Sequence, residues 1–523
     1  MLRCKPQRSH VLFNALRAVV VSLICFSILS FPNLTFGETP KLKENQPNIL
    51  MIFLDDFGWR DTSYMGSDFY ETPHLDKLAK SGMIFSNAYS CAANCAPARA
   101  CLLSGQYTPR HSIYNVGTRP RGKSIHRRLE HIPGVDTLDP AIQTWAHQLQ
   151  KSGYTTASIG KWHLSDDPIP YGFNVNVGGT HSGSPPRGYY PPHNDIPSLK
   201  GAAKDEYLTD RLTDETCQFI EDNQSKPWMV YLTHFAVHTP IQPKKELVQK
   251  YEGKPPGELH NNVKMATMIQ AVDDGVGKII STLERLKIRD NTVILFYSDN
   301  GGYGPATDMA PLKGYKGTYY EGGIRVPFFV NWPGRVAPGT ESSEPISGVD
   351  LYPTLCEIAG AATPESQVLD GNSLIPLFEQ KTNNFDTNGI PRSLYWHFPA
   401  YLDSYGQGYS TEQQDTLFRS RPCSIVRRGP WKLMQFFETG NLELYNLSND
   451  IGEANNVAEQ NPQIVSELMN DLQSWQTKVK AAIPVKLNPD FSPAEEQAAI
   501  EARAKKSNKK KQQGSDKNKS GKR

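Results

Sequence analysis

The stretch Asn48-Ile-Leu-Met-Ile-Phe-Leu-Asp-Asp56 is an almost continuous apolar run that ends on two carboxylates. Such a run is typical of a parallel strand that is covered on both faces by helices. Three more runs resemble it and also lead into polar residues, at residues 155–159, 228–232 and 292–296. Helical patterns intervene at residues 73–81, 140–152, 208–223, 262–287 and 349–360. The sequence therefore predicts an α/β fold with a doubly wound, mostly parallel sheet.

The polar residues that follow these strands are candidates for one shared site. In doubly wound sheets the ligand binds outside the carboxyl ends of the strands. Residues from distant parts of the chain would meet there, and in chain order they are Asp55 and Asp56, Lys161 and His163, His238, and Asp299 and Asn300. The convergence predicts a single site that is assembled from several segments.

The pattern of predicted elements changes near residue 380, where short strand patterns replace the alternation of strands and helices. These patterns cover residues 393–398, 424–428, 431–436 and 442–447, and a helical pattern follows at about 461–480. We expect a smaller C-terminal α+β domain with an antiparallel sheet and one helix. The predicted organisation is a signal peptide at 1–37, a catalytic domain at 44–378, the C-terminal domain at 379–490 and a basic disordered tail at 491–523.

Composition excludes several classes of protein. The chain has 523 residues, of which 38% are hydrophobic and 21% are charged, and this argues against disordered, collagen-like and multi-span membrane proteins. The formal net charge of +2 is an average over unlike parts, since residues 1–37 carry +4 and residues 503–523 carry +9. Residues 38–502 therefore carry −11, and the folded body is acidic.

The two ends of the chain differ in composition from the body between them. Residues 1–37 start with four basic side chains, continue into an apolar run over 18–31 and end in small residues, as a secretory signal peptide does. A membrane anchor is disfavoured because about 20 apolar residues are needed to span a bilayer. We therefore predict an exported protein, periplasmic or secreted, with no stable membrane span. The tail lacks aromatic side chains, which favours a solvated segment over one that binds nucleic acid.

Two acidic pairs have the composition of a metal site. Asp55-Asp56 and Asp299-Asn300 offer four oxygen ligands, and oxygen donors suit calcium or magnesium. Carboxylates after strands also cap helices, and for one isolated pair that alternative is favoured slightly. Two such pairs at the ends of two strands favour a metal.

The segment Cys95-Ala-Pro-Ala-Arg99, followed by Leu103-Ser-Gly105, is the most specific motif of the chain. It resembles the signature of the formylglycine-dependent sulfatases in the alkaline phosphatase superfamily, with Ser104 in place of the usual Thr. Further segments are similar to that family in the same order along the chain. They are Asn48–Asp56, Gly160–Leu164, His238–Pro240, Ser298–Gly301, Lys316–Pro327, Gly429–Leu433 and Glu443–Leu447.

This resemblance implies a set of residue roles. Asp55, Asp56, Asp299 and Asn300 would bind Ca²⁺ together with an oxygen on modified Cys95. Formylglycine would be made from Cys95 by the formylglycine-generating enzyme. The remaining catalytic residues, which would line the sulfate pocket, are Arg99, Lys161, His163, His238 and Lys316. Clustered cations suit this chemistry, because a sulfate monoester is an anion and its charge must be neutralised as the bond breaks.

Two further histidines are predicted to contact the substrate. His181 lies in a polar, glycine-rich segment whose position resembles a substrate loop of the family, although a plain surface loop is the alternative. His397 lies in a segment similar to one in sugar sulfatases of the arylsulfatase A and N-acetylgalactosamine-sulfatase type. A second histidine of that segment is Ala400 here, which weakens any assignment of a particular sugar.

The predicted function is a calcium-dependent sulfatase that acts on a sulfated sugar of the galactose or N-acetylgalactosamine type. One alternative is a phosphomonoester or phosphonate hydrolase of the same superfamily. Relatives with two zinc ions need several histidine ligands and a Ser or Thr nucleophile, whereas this chain offers Asn300 and Cys95. The other alternative is a non-catalytic protein that binds sulfated glycans, which would lack a nucleophile, metal ligand or acid. None of these is missing from the sequence.

Overall fold

The first strand, β1 (Asn48–Leu54), is buried along its whole length near the middle of the main sheet. The computed structural model describes residues 46–505 except residues 194, 197, 200 and 406–414. Because side chains alternate between the two faces of a strand, β1 contributes to two separate cores. Its two sets of side chains are Ile49, Met51 and Phe53 on one face and Leu50, Ile52 and Leu54 on the other.

The main sheet is mostly parallel, as predicted. In the described part of the chain the strands after β1 are β2 (Met83–Phe85), β3 (Ala88–Tyr89), β4 (Thr155–Gly160), β5 (Val175–Val177), β6 (Trp228–Thr233), β7 (Thr292–Ser298), β8 (Phe328–Asn331), β9 (Thr340–Ser342), β10 (Ile346–Ser347), β11 (Ser393–Phe398), β12 (Leu402–Asp403), β13 (Phe418–Ser420), β14 (Cys423–Arg428), β15 (Trp431–Phe436) and β16 (Leu442–Asn446). The order in the main sheet is β5-β4-β6-β1-β7-β8-β2-β9. Only β8 runs antiparallel to its neighbours among these described strands.

Helices cover both faces of this sheet. Those in the described residues are α1 (Pro73–Lys80), α2 (Cys95–Ser104), α3 (Thr108–His111), α4 (Trp145–Lys151), α5 (Leu208–Asn223), α6 (Val248–Glu252), α7 (Val263–Arg285), α8 (Glu321–Ile324), α9 (Leu351–Ala359), α10 (Ile375–Phe378), α11 (Pro462–Lys478) and α12 (493–505). Side chains of α2, α4, α9 and α10 pack in one core. Those of α1, α5, α6 and α7 pack in the other. The doubly wound architecture is confirmed.

The register of the parallel strands aligns their carboxyl ends. Leu54 of β1 pairs with Ser298 of β7, and Phe53 pairs with Thr233 of β6. Thr233 in turn pairs with Gly160 at the end of β4. The polar residues that follow these four strand ends therefore emerge side by side at one edge of the sheet, which is the arrangement that the sequence predicts.

The C-terminal part forms a separate antiparallel sheet with the order β11-β14-β15-β16. One face packs on α11, through contacts such as Val426 with Leu472. The other face carries Trp396 and packs against Tyr319 of the main α/β part. The predicted α+β composition is confirmed. The limits 44–378 and 379–490 stay a prediction, because the described residues belong to one compact unit.

A cluster of buried charges lies between the two sheets, and we call it the inter-sheet cluster: Glu321, Arg325, Arg427, Lys432 and Glu453. Lys432 Nζ lies 3.0 Å from Glu321 Oε1 and 2.8 Å from Glu453 Oε1. Arg325 Nη1 lies 3.3 Å from Glu321 Oε2, and the Tyr89 hydroxyl donates to that oxygen at 2.6 Å. The Glu321 amide also donates to Glu453 Oε2. This cluster ties β15 to the start of α8.

The ends of the chain differ in part from the prediction. The predicted signal peptide at 1–37 lies outside the described residues. The tail predicted at 491–523 is helical over its first part, because Ala499 and Ile500 of α12 pack against the cluster of Leu129, Tyr401 and Phe418. Residues 506–523 lie outside the described part. Among the described residues, every helix is too short or too polar to cross a bilayer.

Candidate active site

A cavity of about 420 Å³ lies at the carboxyl edge of the main sheet. Five of the predicted site residues line it, although they come from five separate segments: Asp56, Cys95, His163, His238 and Lys316. The register of β4, β6, β1 and β7 accounts for this convergence. The predicted metal ligands that do not line the cavity are next to residues that do: Asp299 and Asn300 form hydrogen bonds with Asp56, and Asp55 lies beside Cys95.

Cys95 is the first residue of α2 and lies almost completely buried at the cavity. Proline is tolerated in the first turn of a helix, where its missing N–H would have no partner, and Pro97 occupies such a position. Residues four apart share one face of a helix, so Arg99 projects on the same side as Cys95. The spacing of this motif is thus explained by the start of a helix that points at the site.

Arg99 holds Asp299 from behind. Its Nε and Nη2 atoms donate to Asp299 Oδ2 at 3.1 and 2.9 Å. Its Nη1 atom donates to the Lys161 carbonyl at 3.0 Å and also to the Thr233 hydroxyl. Arg99 is fully buried and does not line the cavity. The guanidinium therefore fixes the position of a carboxylate and of the β4 end.

Two lysines neutralise the first acidic pair. Lys161 Nζ forms a buried ion pair with Asp55 Oδ2. Lys316 Nζ lies 2.6 Å from Asp56 Oδ1 and also lines the cavity. Together with Arg99 and Asp299 they make up what we call the catalytic cluster, which is Asp55, Asp56, Asp299, Arg99, Lys161 and Lys316. Three cations and three carboxylates thus meet at the base of one cavity.

The oxygen atoms of this cluster fit a metal ion. Asp55 Oδ1 and Asn300 Oδ1 are buried and accept no hydrogen bond from the described residues. A buried acceptor without a partner is costly, and a cation would satisfy both. One ligand atom each of Asp55, Cys95 and Asp299 lie within 4.8 Å of one another. Asn300 Nδ2 donates a hydrogen bond to Asp56 Oδ1 at 2.9 Å. This hydrogen bond orients the amide oxygen of Asn300 away from Asp56 Oδ1.

Burial and neighbouring charges shift the pKa values of the three aspartates in different directions. Burial, reinforced by the nearby Asp55, raises the pKa of Asp299 to about 7, even though Arg99 opposes the shift. Burial also raises the pKa of Asp55, against the effect of Lys161. Burial acts in the same way on Asp56, but Lys316, His238, Lys161 and the hydrogen bond from Asn300 together outweigh it and hold the pKa of Asp56 below its usual range. A divalent cation among these groups would favour the ionised form of all three.

Two histidines border the cavity. His163 has a left-handed φ of 68°, and Gly183 approaches its ring so closely that a Cβ there would lie 2.5 Å from Nε2. His238 Nδ1 contacts the Thr239 carbonyl at 2.9 Å, and its Nε2 lies 3.7 Å from Asp56 Oδ2. Burial, followed by the nearby Lys316, lowers the pKa of His238 to about 3. Burial also lowers the pKa of His163. Both rings are therefore held in the site by their surroundings.

The two predicted substrate-binding histidines have different positions. The ring of His181 is 6.5 Å from that of His163 and is partly exposed, beside the cavity-lining residues Gly183 and Ser184. His397 is 1% exposed, and its two ring nitrogens contact Ser424 Oγ at 2.6 Å and the Ala482 carbonyl at 3.1 Å. It is not among the cavity-lining residues. This corrects the prediction for His397, whose ring is held inside the C-terminal part.

Several cavity-lining residues escaped the sequence analysis. The polar and aromatic ones are Asn94, Asn115, Arg121, Thr239, Tyr303, Tyr405 and Arg419. Asn94 precedes Cys95 directly and Thr239 follows His238, so proximity to a motif could have indicated these two. Arg121 and Arg419 belong to no motif and follow no predicted strand of the main sheet. Only the folded arrangement brings them to the cavity.

Comparison with known families gives two matches. The model described as "Sulfatase" matches residues 47–361. The model described as "N-sulphoglucosamine sulphohydrolase, C-terminal" matches residues 315–478. The first match contains all the cavity-lining residues that the sequence predicted.

Individual proteins are similar over much of the chain. A "Sulfatase" from Formosa agariphila is 31% identical over 88% of this chain and 94% of that protein. The N-acetylgalactosamine-6-sulfatase of Canis lupus familiaris is 31% identical over 63% of this chain and 65% of that protein. The solved structure of Ps i-CgsB in complex with k-i-k-neocarrahexaose is 30% identical, with a TM-score of 0.66, and the match covers 82% of this chain and 92% of that one.

Proposed function

Because this chain belongs to the sulfatase family of sulfuric ester hydrolases, we propose that it hydrolyses sulfate esters of sugars through a calcium ion and a formylglycine made from Cys95. One observation carries the proposal. At the base of one cavity, Cys95 lies beside carboxylate and amide oxygens, two of which have no hydrogen-bond partner, while Lys316 and two histidines line the same cavity. That set combines a reactive position, a cation site and groups that stabilise an anion.

Calcium is the metal of this proposal. Asp55, Asp56, Asp299 and Asn300 offer only oxygen atoms, which both Ca²⁺ and Mg²⁺ prefer, and the resemblance to the formylglycine-dependent sulfatases favours calcium. The ion would be held by these residues together with residue 95. When bound, it supplies positive charge that lowers the pKa of an attached hydroxyl and neutralises developing negative charge on the ester. The orphaned Asp55 Oδ1 and Asn300 Oδ1 support this assignment.

Formylglycine is the second group that the site would need. The position of Cys95 at the start of α2, at the cavity and next to two carboxylates, fits a hydrated aldehyde, whose oxygens are better metal ligands for Ca²⁺ than a sulfur atom. The formylglycine-generating enzyme would make the conversion. Since that enzyme would act on the motif Cys95–Arg99, which is buried in the folded chain, we expect modification before folding is complete.

The cationic and titratable residues of the chain have distinct roles in this proposal. Lys316 neutralises charge on the nonbridging oxygens of the bound sulfate, because its ammonium faces the cavity. His238 would exchange a proton at Nε2, since its Nδ1 donates to the Thr239 carbonyl. Because burial and Lys316 lower the pKa of its ring, His238 would take up this proton as the anionic ester binds and then give it to the departing alcohol. His163, which also lines the cavity, would act as a general base. Arg99 and Lys161 hold Asp299 and Asp55 in place.

A sulfated sugar is the substrate class that the relatives support. The dog relative is named N-acetylgalactosamine-6-sulfatase, and the solved relative was crystallised with k-i-k-neocarrahexaose. We therefore propose a galactose or N-acetylgalactosamine type of sulfate ester. Because residues 1–37 are predicted to be a secretory signal peptide, we also propose that the enzyme works in the periplasm or outside the cell.

Peptide mass spectrometry across residue 95 tests the modification. The full chain is produced in a host that contains the formylglycine-generating enzyme, and the peptide is expected to carry an aldehyde in place of the thiol. Cys95→Ala should release no sulfate, whereas Cys217→Ala, which changes a buried cysteine on α5, should remain active. A wild-type peptide that carries only thiol in an active preparation would refute the formylglycine.

A panel of substrates tests the sugar separately. Sulfate release is measured from an aryl sulfate and from 4- and 6-sulfated galactose and N-acetylgalactosamine. We expect release from at least one of these sugars. Turnover of the aryl ester with none of the sugars would remove the carbohydrate part of the proposal and leave the sulfatase part intact.

A further inference from the structure

Two arginines line the cavity outside the catalytic cluster, and we call Arg121 and Arg419 the outer arginines. Among the described residues, neither has a carboxylate within 4.0 Å. Every cation of the catalytic cluster, by contrast, is paired with an aspartate. Two guanidinium groups without acidic partners in one cavity are available to bind an anion from solution.

Arg419 is held rigidly beside the sulfate pocket. Its guanidinium carbon lies 3.7 Å from the centre of the Tyr405 ring, which also lines the cavity. Its Nε donates to the Asp403 carbonyl at 2.9 Å. Its Nη1 reaches the Lys316 carbonyl at 3.5 Å. An arginine stacked on an aromatic ring loses little conformational freedom when it binds a ligand, so this group is pre-organised next to Lys316.

Arg121 belongs to a basic segment at residues 117–128. This segment contains five Lys or Arg residues and no acid, whereas residues 38–502 as a whole carry a net charge of −11. Its backbone is folded on itself, since Arg121 Nη2 donates to the Val116 carbonyl and Arg127 Nη1 to the Arg121 carbonyl. Two acids that bond to this segment contact other atoms: Asp490 accepts from the Ser124 hydroxyl and Glu438 from the Arg128 amide.

Charge of one sign concentrated at a cavity attracts ligands of the opposite sign. The catalytic cluster already contains the groups for one sulfate, so the outer arginines add capacity for a further anion. We propose that Arg121 and Arg419 recognise anionic groups of the glycan other than the sulfate that is hydrolysed. The preferred substrate is then a sugar chain with at least two anionic groups near each other, either sulfate esters or uronate carboxylates. This inference rests on the proposed function.

The test compares substrates with one and with two anions. The substrates are 4-methylumbelliferyl sulfate and three disaccharides in which a 6-sulfated N-acetylgalactosamine is joined to neutral galactose, to sulfated galactose or to a uronic acid. The enzymes are the wild type, the double variant Arg121→Gln/Arg419→Gln and the control Lys80→Gln. Lys80 is exposed at the end of α1 and, among the described residues, has no ion pair.

We expect the double variant to lose about 10- to 100-fold in kcat/KM on a two-anion disaccharide, mainly through KM, since each lost charged contact is worth about tenfold. Loss on only one of the two-anion disaccharides identifies sulfate or carboxylate as the group that is bound. The single-anion substrates should change less than twofold, as should every substrate with Lys80→Gln. Arg419→Lys should keep part of the activity because it keeps the charge.

Ionic strength gives a second readout that a purely structural role would not change. Raising salt from about 50 to 200 mM shortens the screening length, so wild-type kcat/KM should fall more steeply for two-anion than for single-anion disaccharides. The double variant should lose this difference. Equal losses on all substrates, or none on any, would overturn the inference alone. A wild-type enzyme that cleaves no sugar sulfate would overturn both this inference and the carbohydrate proposal.

Discussion

The catalytic cluster and the inter-sheet cluster are built from the same materials and differ in what they leave unsatisfied. Each contains three cations and at least two carboxylates that are buried in the protein. In the inter-sheet cluster both oxygens of Glu321 have partners, which are Lys432 on one side and Arg325 with Tyr89 on the other. Glu453 Oε1 accepts no hydrogen bond of good geometry, but it lies 2.8 Å from the Lys432 ammonium. The catalytic cluster leaves Asp55 Oδ1 without a hydrogen-bond partner and borders a cavity.

This difference separates a structural role from a chemical one. Buried ion pairs contribute little net stability, but removal of one partner leaves an uncompensated charge and is strongly destabilising. The inter-sheet cluster is enclosed, so its charges serve to position β15 against α8. The catalytic cluster has an unsatisfied acceptor and access to solvent, so it can take a further cation and an anion. A substitution in the catalytic cluster should therefore mainly reduce turnover, whereas a matched substitution in the inter-sheet cluster should mainly reduce the free energy of unfolding.

The largest expected effect is on turnover, from Asp299→Asn in the catalytic cluster. The amide has the size of the carboxylate but removes one negative charge from the proposed metal ligands, so kcat/KM for sulfate release should fall about 10³-fold or more. Bound calcium, measured by elemental analysis, should fall as well. The matched variant Glu321→Gln, at temperatures where it is folded, should stay within about threefold of wild type. Full activity of Asp299→Asn without calcium would contradict the assignment.

The next effect is on stability, from Lys432→Met in the inter-sheet cluster. The ammonium is fully buried between Glu321 and Glu453. Its loss removes the ion-pair partner of Glu453 and leaves Glu321 with only Arg325 and the Tyr89 hydroxyl. The free energy of unfolding should fall by about 3–5 kcal/mol. Denaturant titration measures this, and kcat/KM of the folded fraction should be retained. The control Lys278→Met, which breaks an exposed pair with Asp214, should cost less than about 1 kcal/mol. Similar values for both variants would refute the role of burial.

The sequence alone predicts the catalytic cluster better than the inter-sheet cluster, for a physical reason. Parallel strands covered on both faces must be apolar throughout, so the end of β1 is marked by the change to Asp55-Asp56. The same holds for β7 and Asp299-Asn300. These changes from apolar to polar residues can be seen in the sequence alone, and the folded sheet brings the polar residues together. Lys432 alternates with apolar neighbours in β15, where a strand pattern predicts an exposed side chain, and its burial depends on a sheet that packs on a distant segment.

The outer arginines and His397 show two other limits. Arg419 is in β13, which pairs with β12 and not with the main sheet, so the rule about strand ends does not apply to it. His397 was assigned from the resemblance of its segment to one in sugar sulfatases. Here that strand is paired with β14, opposite Ser424, and the histidine contacts Ser424 instead of the cavity. A local pattern therefore indicates a strand more reliably than it indicates which partner a side chain meets.

The smallest expected effect is a dependence of stability on pH that arises in the inter-sheet cluster. Burial raises the pKa of Glu453 to about 7 from its ordinary 4.5, although Lys432 opposes the shift. Between those two pH values the folded state holds a proton that the unfolded state has released. The free energy of unfolding must therefore fall as pH rises through this window, by at most about 1.4 kcal/mol per pH unit.

Glu453→Gln should remove this contribution, because the amide does not titrate in either state. Unfolding free energies of wild type and variant, measured from pH 4.5 to 7, should then differ in slope, with the variant falling less. Other titrating groups are common to both proteins, so they cancel in the difference. Parallel curves would mean that Glu453 is ionised throughout and that Lys432 dominates over burial. The inter-sheet cluster would then be a fully ionised network, as the catalytic cluster is expected to be once it holds calcium.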